Sequence, residues 1–597
     1  MRILIDGKEA TIKKGSSFEY AVENRSFSDA DGYSLSISFP LSGCPGNLSI
    51  FGLLNRKDLD AFNRTFDCEI IDIFFYKSGT LTITDVSEIE VKGQFLEGRS
   101  AQNYDDSFDD FYINEMALIN VPHPEASGLD PAELWAASRY NIGYVALPWY
   151  PSNSESGLIQ NDVNYGFGRY SWGADVERIS FFPYLIFITK RICEEVGYKY
   201  DFTEWESRDD YKYILVCNAL PEAWDVSEMA RALPHWTVAE FFKKLELFLY
   251  GEFDIDHKNQ KITFHFTRTN ETNAGTVVLD KVVDSFSSEV SDEDESKYDG
   301  IASVRYKSAE HEMQKFYDCD WFIKQNKDSI VEYETLDDLI AVNKQYAKCR
   351  TYPKGGAANK ILYAKDYDTY FVIRCVRTKY VLTNSLGVDI YDRYCILQPI
   401  NTFGPFIPFE DAATEIELEF VPAWIDETEP EKGDCLFIDC GTFNETVTEE
   451  DFDGQLTNEE RASVLPQPFA MQWLDSGESS EKAEYFNVIN VGYWDGAIPE
   501  PGGMPRPTLD WLTVTADWST ITTHFSLRLK SRQMSSPRHM IDPRRKYEFS
   551  FVMNGIPNVR AVFQIGGKKY LCSKITTTFS EKGLSELKKG TFFRIED

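Results

Sequence analysis

With 597 residues the chain is too long for one hydrophobic core, and at about 150 residues per domain it divides into about four. Hydrophobic residues at 43% and aromatic residues at 14% exclude a globally disordered chain, and the abundance of Tyr and Phe leans towards β-structure. Against 61 Lys and Arg stand 96 Asp and Glu, so the net charge of −35 argues against a general binder of nucleic acid or anionic membranes and favours basic protein partners or cations.

Residues 1–110 predict an antiparallel, barrel-like β domain. "RILIDGKEATI" holds an Asp6-Gly7 turn between two strand-like runs. In "SLSISF" Leu35, Ile37 and Phe39 alternate with serines, the period of a half-buried strand. Further strands are expected in "CEIIDIFFY", "GTLTIT" and "SEIEVKGQFL". The opening itself carries Arg2, Asp6, Lys8 and Glu9, unlike a signal peptide. Residues 111–175 form an irregular region rich in Pro, Gly, Asn, Trp and Tyr, of a length that is normally functional or packed on a neighbour.

Residues 176–350 predict inserted α+β domains. The helix in "FPYLIFITKRICEEVGY" has Pro183 in its first turn and Gly197 as its stop. The apolar run here, "ISFFPYLIFI" at 179–188, is half a membrane span. "TVAEFFKKLELFLYG" opens on a Thr237/Glu240 capping box and stops at Gly251. Each helix leads into β sequence, "YKYILVCNAL" and "EFDIDHKNQKITFHF". The acidic stretch 287–300 reads as a linker or surface loop and 352–360 as a second boundary. Residues 351–424 and 511–597 then supply a second barrel-like β domain, separated by an acidic, Pro/Gly-rich excursion at 425–510. The fold class is therefore mainly β, two barrel or sandwich portions bracketing an α+β insertion.

The charge is unevenly placed. From Arg528 to Asp597 there are 15 Lys and Arg and 6 Asp and Glu, a net of +9, which leaves −44 for the first 527 residues. Opposite signs point to contact between these parts, in one copy or between neighbours; a solvated basic face is the alternative. The closing stretch "GGKKYLCSKITTTFSEKGLSELKKGTFFRI" begins like a phosphate-binding loop. However, Gly566-Gly567-Lys568-Lys569 is followed by Tyr570, without the Ser or Thr and the spaced first glycine that such a loop needs. Two strands joined by Gly-Gly make a tight hairpin instead, with "SEKGLSELKKG" connecting to a last strand "TFFRI". Its Lys568, Lys569, Lys574, Lys588 and Lys589 are the expected interface residues, facing an acidic surface of a neighbouring subunit or another protein of the same assembly.

"EEDFDGQLTNEE", 449–460, approximates a calcium loop through Glu449, Asp451, Asp453 and Glu460. Glu in the first place and the lack of flanking helices favour a solvated acidic loop, with calcium as the alternative; no other cofactor is expected. The 11 Cys contain no CxxC pair, so they read as buried thiols of a reducing cytoplasm. His311-Glu312 lacks the second histidine of a zinc site. No nucleophile elbow or dinucleotide fingerprint occurs, so catalytic residues are not assigned. Trp149 and Trp172, in the aromatic segment 139–173, are candidates for stacking on a glycan or for packing on a neighbouring domain.

Three segments together resemble a family. They are "ISFPLSGCPGNLSIFGLLNR" at 37–56, the pair "PYLIFITKRICEEVGY" and "TVAEFFKKLELFLYGEFDIDHKNQKITF", and the end from "DPRRKYEFSF" to "GTFFRI". The combination, over about half the chain, is similar to tail-tip or baseplate hub proteins of tailed phages and prophages of gut bacteria. The resemblance implies a non-enzymatic virion protein made in the host cytoplasm, forming a homotrimeric ring that ends the tail tube and surrounds the DNA channel. Its implied partners are tail-tube or distal tail proteins and tip or fibre proteins, with DNA only in transit and no membrane-spanning segment. A carbohydrate- or receptor-binding virion protein and a β-rich glycoside hydrolase are the alternatives.

Overall fold

A computed structural model describes residues 1–98, 182–290, 327–348, 360–400 and 540–595 nearly throughout, except 29–30, 53, 55, 57–63, 219–225, 229, 231–232, 367–368 and 387–388. It also describes shorter pieces at 108–116, 120–122, 130–137, 143–145, 149–151, 163–166, 169–172, 303–306, 415–422, 424–426, 436–439, 445–448, 482–485, 488–494, 512–514, 518–519 and 521–523. These residues are largely β with some helices, in several sheets.

The N-terminal strands are β1 (Arg2–Ile5), β2 (Lys8–Ala10), β3 (Ser17–Glu23), β4 (Gly32–Ser34), β5 (Ile37–Pro40), β6 (Thr65–Asp72), β7 (Phe75–Val86) and β8 (Glu90–Leu96). Asp6-Gly7 turns β1 into β2 with Ile5 opposite Lys8. "SLSISF" is not one strand. The chain breaks between β4 and β5, so Leu35 is exposed while Ile37 and Phe39 are buried. "CEIIDIFFY" is likewise split, because the β6–β7 turn falls at Ile73 and Phe74 and leaves both exposed.

In the central unit α1 (Leu185–Glu195) starts after Pro183, which lies in a short strand and not in the first helical turn. Its buried face is Leu185, Ile186, Ile188, Ile192 and Cys193. β9 (Lys199–Asp201) follows. α2 (Val238–Leu249) has the full capping box: the Glu240 amide donates to Thr237 and the Glu240 side chain accepts from the Thr237 amide. It stops at Tyr250, in the left-handed conformation, one residue before Gly251. β10 (Gly251–Asp256) and β11 (Lys261–Phe266) form a hairpin, with β9 parallel to β11. Both helices bury their apolar faces in a core with Phe253, Phe264, Phe202 and Trp205. Ile489 and Val491 complete that core, so part of the expected excursion at 425–510 is interior.

β12 (Thr276–Val278) and β13 (Val282–Val290) leave the central unit and join the large sheet, so 287–290 is strand and not linker. A separate four-stranded sheet holds β14 (Ile330–Tyr333), β15 (Ile361–Ala364), β16 (Thr369–Thr383) and β17 (Asp389–Ile400) under α3 (Leu336–Asn343). Trp518 is buried in its core.

The C-terminal strands are β18 (Ile541–Val552), β19 (Val562–Ile565), β20 (Lys568–Ser580) and β21 (Gly583–Ile595). Among the described residues they pair with none of β14–β17. They complete a 14-stranded sheet whose main path runs β2-β1-β6-β7-β8-β4-β3-β20-β21-β18-β13, with β5 branching from β8 and β19, carrying β12, from β20. The joint is β3 on β20, with Tyr20 opposite Thr577. The sheet carries two large adjoining cores and a small third cluster of Phe27, Ile541, Leu571 and Phe593. No closed barrel is formed among the described residues, so of the expected barrel or sandwich portions the barrel is not the form taken. β20 crosses from one core to the other, placing Cys572 and Ile575 in the C-terminal core and Phe579 in the N-terminal one. At Gly566 and Gly567, φ of 56° and 78° closes the β19–β20 hairpin, a conformation free of steric cost only for glycine. "GLSELKKGTFFRI" is one strand, turned from β20 at Glu581 and Lys582.

Candidate functional site: an ion-paired cleft between the large sheet and the central unit

The loop after β3 is fixed by Asn24, whose buried amide donates to the carbonyls of Val559 and Cys572 at 3.2 and 2.9 Å. Arg25 therefore leaves the sheet at a defined point, towards the central unit. Its guanidinium makes a bidentate pair with Asp31 at 2.8 and 3.1 Å and donates to the Phe253 carbonyl at 2.8 Å. Asp254 lies 3.4 Å away and Glu246 3.9 Å. Burial alone would lower the pKa of Arg25, but Asp31, Asp254 and Glu246 outweigh it and raise the value well above the ordinary one. The cation is held, and with it the hairpin β10–β11 and the helix α2.

Two further cations cross the same boundary. Arg560, in the loop before β19, reaches buried Glu252 at 2.6 Å and Asp254 at 3.8 Å. Lys258, in the hairpin turn, pairs with Glu69 of β6. Between these contacts lies a cleft of about 610 Å³. Its floor includes Glu97, which accepts from the Tyr20 hydroxyl at 2.8 Å and pairs with Lys77. On its wall the His257 Nδ1 accepts from Tyr198 at 2.8 Å, so Nε2 donates to the Gly98 carbonyl at 3.1 Å. Burial lowers the His257 pKa and keeps the ring neutral. Gly98 has φ of 54°, and a Cβ there would lie 2.1 Å from the Asp31 carboxylate, so any other residue would be strained and would press Asp31 away from Arg25. Arg25, Asp31, Lys77, Glu97, Asp254 and Arg560 on the cleft lining are thus already engaged in ion pairs. That arrangement locks two units together, and its chemistry is positional. Among the described residues no group of three or more His, Cys, Asp or Glu is placed to hold a metal.

A second set of titratable groups lies at the start of α2. The rings of His235 and Tyr112 stack at 4.0 Å, and His235 Nδ1 is 3.0 Å from the Asn114 side-chain oxygen and 4.0 Å from Glu115. Burial pushes the Glu115 carboxyl up to about 7 and the His235 imidazole down to about 4. Between those values both groups are neutral, so this approach is not an ion pair.

The sequence-derived candidates fall apart in space. Lys568 and Lys569 stand exposed beside the Gly566-Gly567 turn. Lys574 donates to Tyr33 at 2.7 Å and pairs with Glu23 at 3.0 Å within the same chain. Lys588 is buried, donating to the Ser585 carbonyl, and Lys589 pairs with Glu548 at 2.9 Å. Trp172 packs half-buried on the central core. Trp149 lies in a strand, 149–151, parallel to 436–438. Glu449, Asp451, Asp453 and Glu460 lie outside the described residues, as do His123, His311 and His524. Glu246, Asp254 and Arg560 carry no sequence signal, since their partners come from segments hundreds of residues away, and Arg25 and Asp31, although only six residues apart, match no motif.

No protein-family model matches the chain, and no curated protein matches it. The solved 43 kDa tail protein of prophage MuSo2 from Shewanella oneidensis is similar at a TM-score of 0.30 and 7% identity, over 100% of this chain and 98% of that one. A likeness of that size carries no argument about fold or role. No helix among the described residues is long and apolar enough to cross a membrane.

Proposed function

We propose that this chain is a structural subunit of a phage tail, a ring-forming trimeric hub that ends the tail tube, surrounds the DNA channel and carries tip or fibre proteins. The observation that supports the reading is how the two ends of the chain build one frame. β3 lies on β20 in a single sheet, and the central α+β unit is clamped to that sheet by buried Arg25 and by Arg560. A frame with clamped insertions suits a part that bears load between neighbours, and it agrees with the inserted α+β architecture that the three resembling segments imply. The net charge of −35 suits a conduit, because an acidic lumen does not hold passing DNA. Lys568 and Lys569, exposed at a hairpin tip, are the residues proposed to meet an acidic surface of the next subunit or tail protein. Electron microscopy of intact particles with a labelled antibody tests the assignment. Label at the tail tip is expected; label confined to the capsid or the fibres overturns it.

A further inference from the structure

Among the described residues the large sheet ends in a long open edge, where β13 pairs with β18 alone. The last five residues of β13, 286–290, are exposed; a bulge between Val283 and Ser287 ends at Phe286, and the regular pairing resumes at Ser287. An edge strand presents a row of unmatched backbone donors and acceptors, a template for another strand. The apolar face of the C-terminal core also runs out onto this edge. Tyr547 and Phe549 are buried, and the Phe286 ring lies 6.0 and 5.9 Å from theirs while remaining 55% exposed. Val290, opposite Arg545 on the same face, is 66% exposed.

We propose that this edge pairs with the same edge of a second copy, antiparallel, about a two-fold axis at Ser288. The occupant follows from the edge sequence, "FSSEV". In that register Phe286 faces Val290 of the second copy, Ser287 faces Glu289, and Ser288 faces its own equivalent. Apolar side chains meet on the core face; on the other face Ser287, whose hydroxyl donates to Glu548 of its own chain at 3.3 Å, faces Glu289, and no like charges stand directly opposite. An axis at Glu289 would set two carboxylates against each other, and one at Phe286 would carry the ladder back across the whole bulge to Val282, whereas the axis at Ser288 reaches only its last residue. The contact is isologous and closed, so it stops at two copies. It is also short, and each copy carries a charge of −35, so association is weak and strengthens as salt screens the repulsion. The inference does not rest on the tail reading.

Sedimentation velocity of the full chain, from low to high micromolar concentration and at low and high salt, reads the association. The expected result is a shift from 68.6 kDa towards twice that mass, favoured by salt. Ser288→Lys places two ammonium groups together at the axis and is expected to abolish the shift, with an unchanged circular dichroism spectrum. Ser288→Cys is expected to cross-link under mild oxidation, since directly opposed residues lie about 4.5–5.5 Å apart at Cα. Ser287→Cys and the unsubstituted chain are expected to stay uncross-linked. A monomer at every concentration and salt overturns the proposal. So does a dimer that survives Ser288→Lys, or cross-linking of Ser287→Cys as fast as Ser288→Cys.

Discussion

Truncating Arg25 to alanine is the sharpest test of the clamp. Arg25 is 7% exposed and holds Asp31, Asp254, Glu246 and the Phe253 carbonyl. Removing one partner of a buried ion pair costs about 3–5 kcal/mol, because the charge left behind has lost its counter-ion and cannot recover its water. Asp254, at 46% exposed, rehydrates, whereas Asp31 at 19% and Glu246 at 14% do so poorly. The expected loss therefore sits near the lower end, about 3 kcal/mol. A chain of several units does not unfold in one transition, so the loss is best read locally. Hydrogen exchange in the β10–β11 hairpin and the end of α2 is expected to quicken by about 150-fold, the ratio that corresponds to about 3 kcal/mol. Arg25→Lys, which keeps the charge but not the bidentate fork, is expected to fall between. In a double-mutant cycle Arg25→Ala and Asp31→Ala are expected to couple by at least about 1.5 kcal/mol. Exchange within about threefold of wild type, or additive effects in the cycle, would refute the clamp.

Three further outcomes follow from neighbouring contacts. Gly98→Ala puts a methyl group against the Asp31 carboxylate at a positive φ. It is expected to cost about 1–3 kcal/mol and to lower the first thermal transition; an unchanged melt would show that Asp31 swings clear. Glu115 keeps its proton in the folded chain up to about 7, whereas the unfolded chain gives it up near 4.5, so this group's contribution to stability falls as pH rises across that window. Glu115→Gln, a mimic of the neutral acid, is expected to remove that fall in denaturation curves taken from pH 4.5 to 7.5. Parallel curves for the two proteins would contradict it. Lys574→Met removes the ammonium from Glu23; burial would raise that carboxyl, but bonds from Ser28, Tyr33 and Lys574 hold it below its ordinary value. A loss of about 1–2 kcal/mol in urea denaturation is expected, and none if Tyr33 and Ser28 suffice.

What was legible in the sequence was local. The Asp6-Gly7 turn, the Thr237/Glu240 cap and the Gly566-Gly567 hairpin each depend on residues within four positions of one another, and each formed as expected. Boundaries slipped where a neighbouring conformation took over, as when Tyr250 assumed the left-handed position assigned to Gly251. Strand partnership was not legible. The alternation in β20 marks it as a strand but does not say whether it lies on β3 or on β16, and that 351–424 and 511–597 are both β-rich does not make them one sheet. Ile489 to Trp494 fared the same way: a short apolar stretch inside acidic sequence gave no sign that it fills the central core.

The uneven charge can now be followed to particular atoms. The segment that is net +9 is partly matched within its own chain, by Lys574 on Glu23, Arg560 on Glu252 and Lys589 on Glu548. Lys568 and Lys569 remain exposed at a turn whose two glycines add no bulk. A contact made through these two lysines joins opposite charges and weakens as salt is added, whereas the β13 edge joins two strongly negative copies and tightens. Salt therefore separates the two surfaces. Lys568→Glu with Lys569→Glu is expected to abolish any association that low salt favours while leaving the salt-favoured dimer intact. If the double substitution weakens both, the hairpin tip and the sheet edge belong to one interface, and the two-fold axis at Ser288 is misplaced.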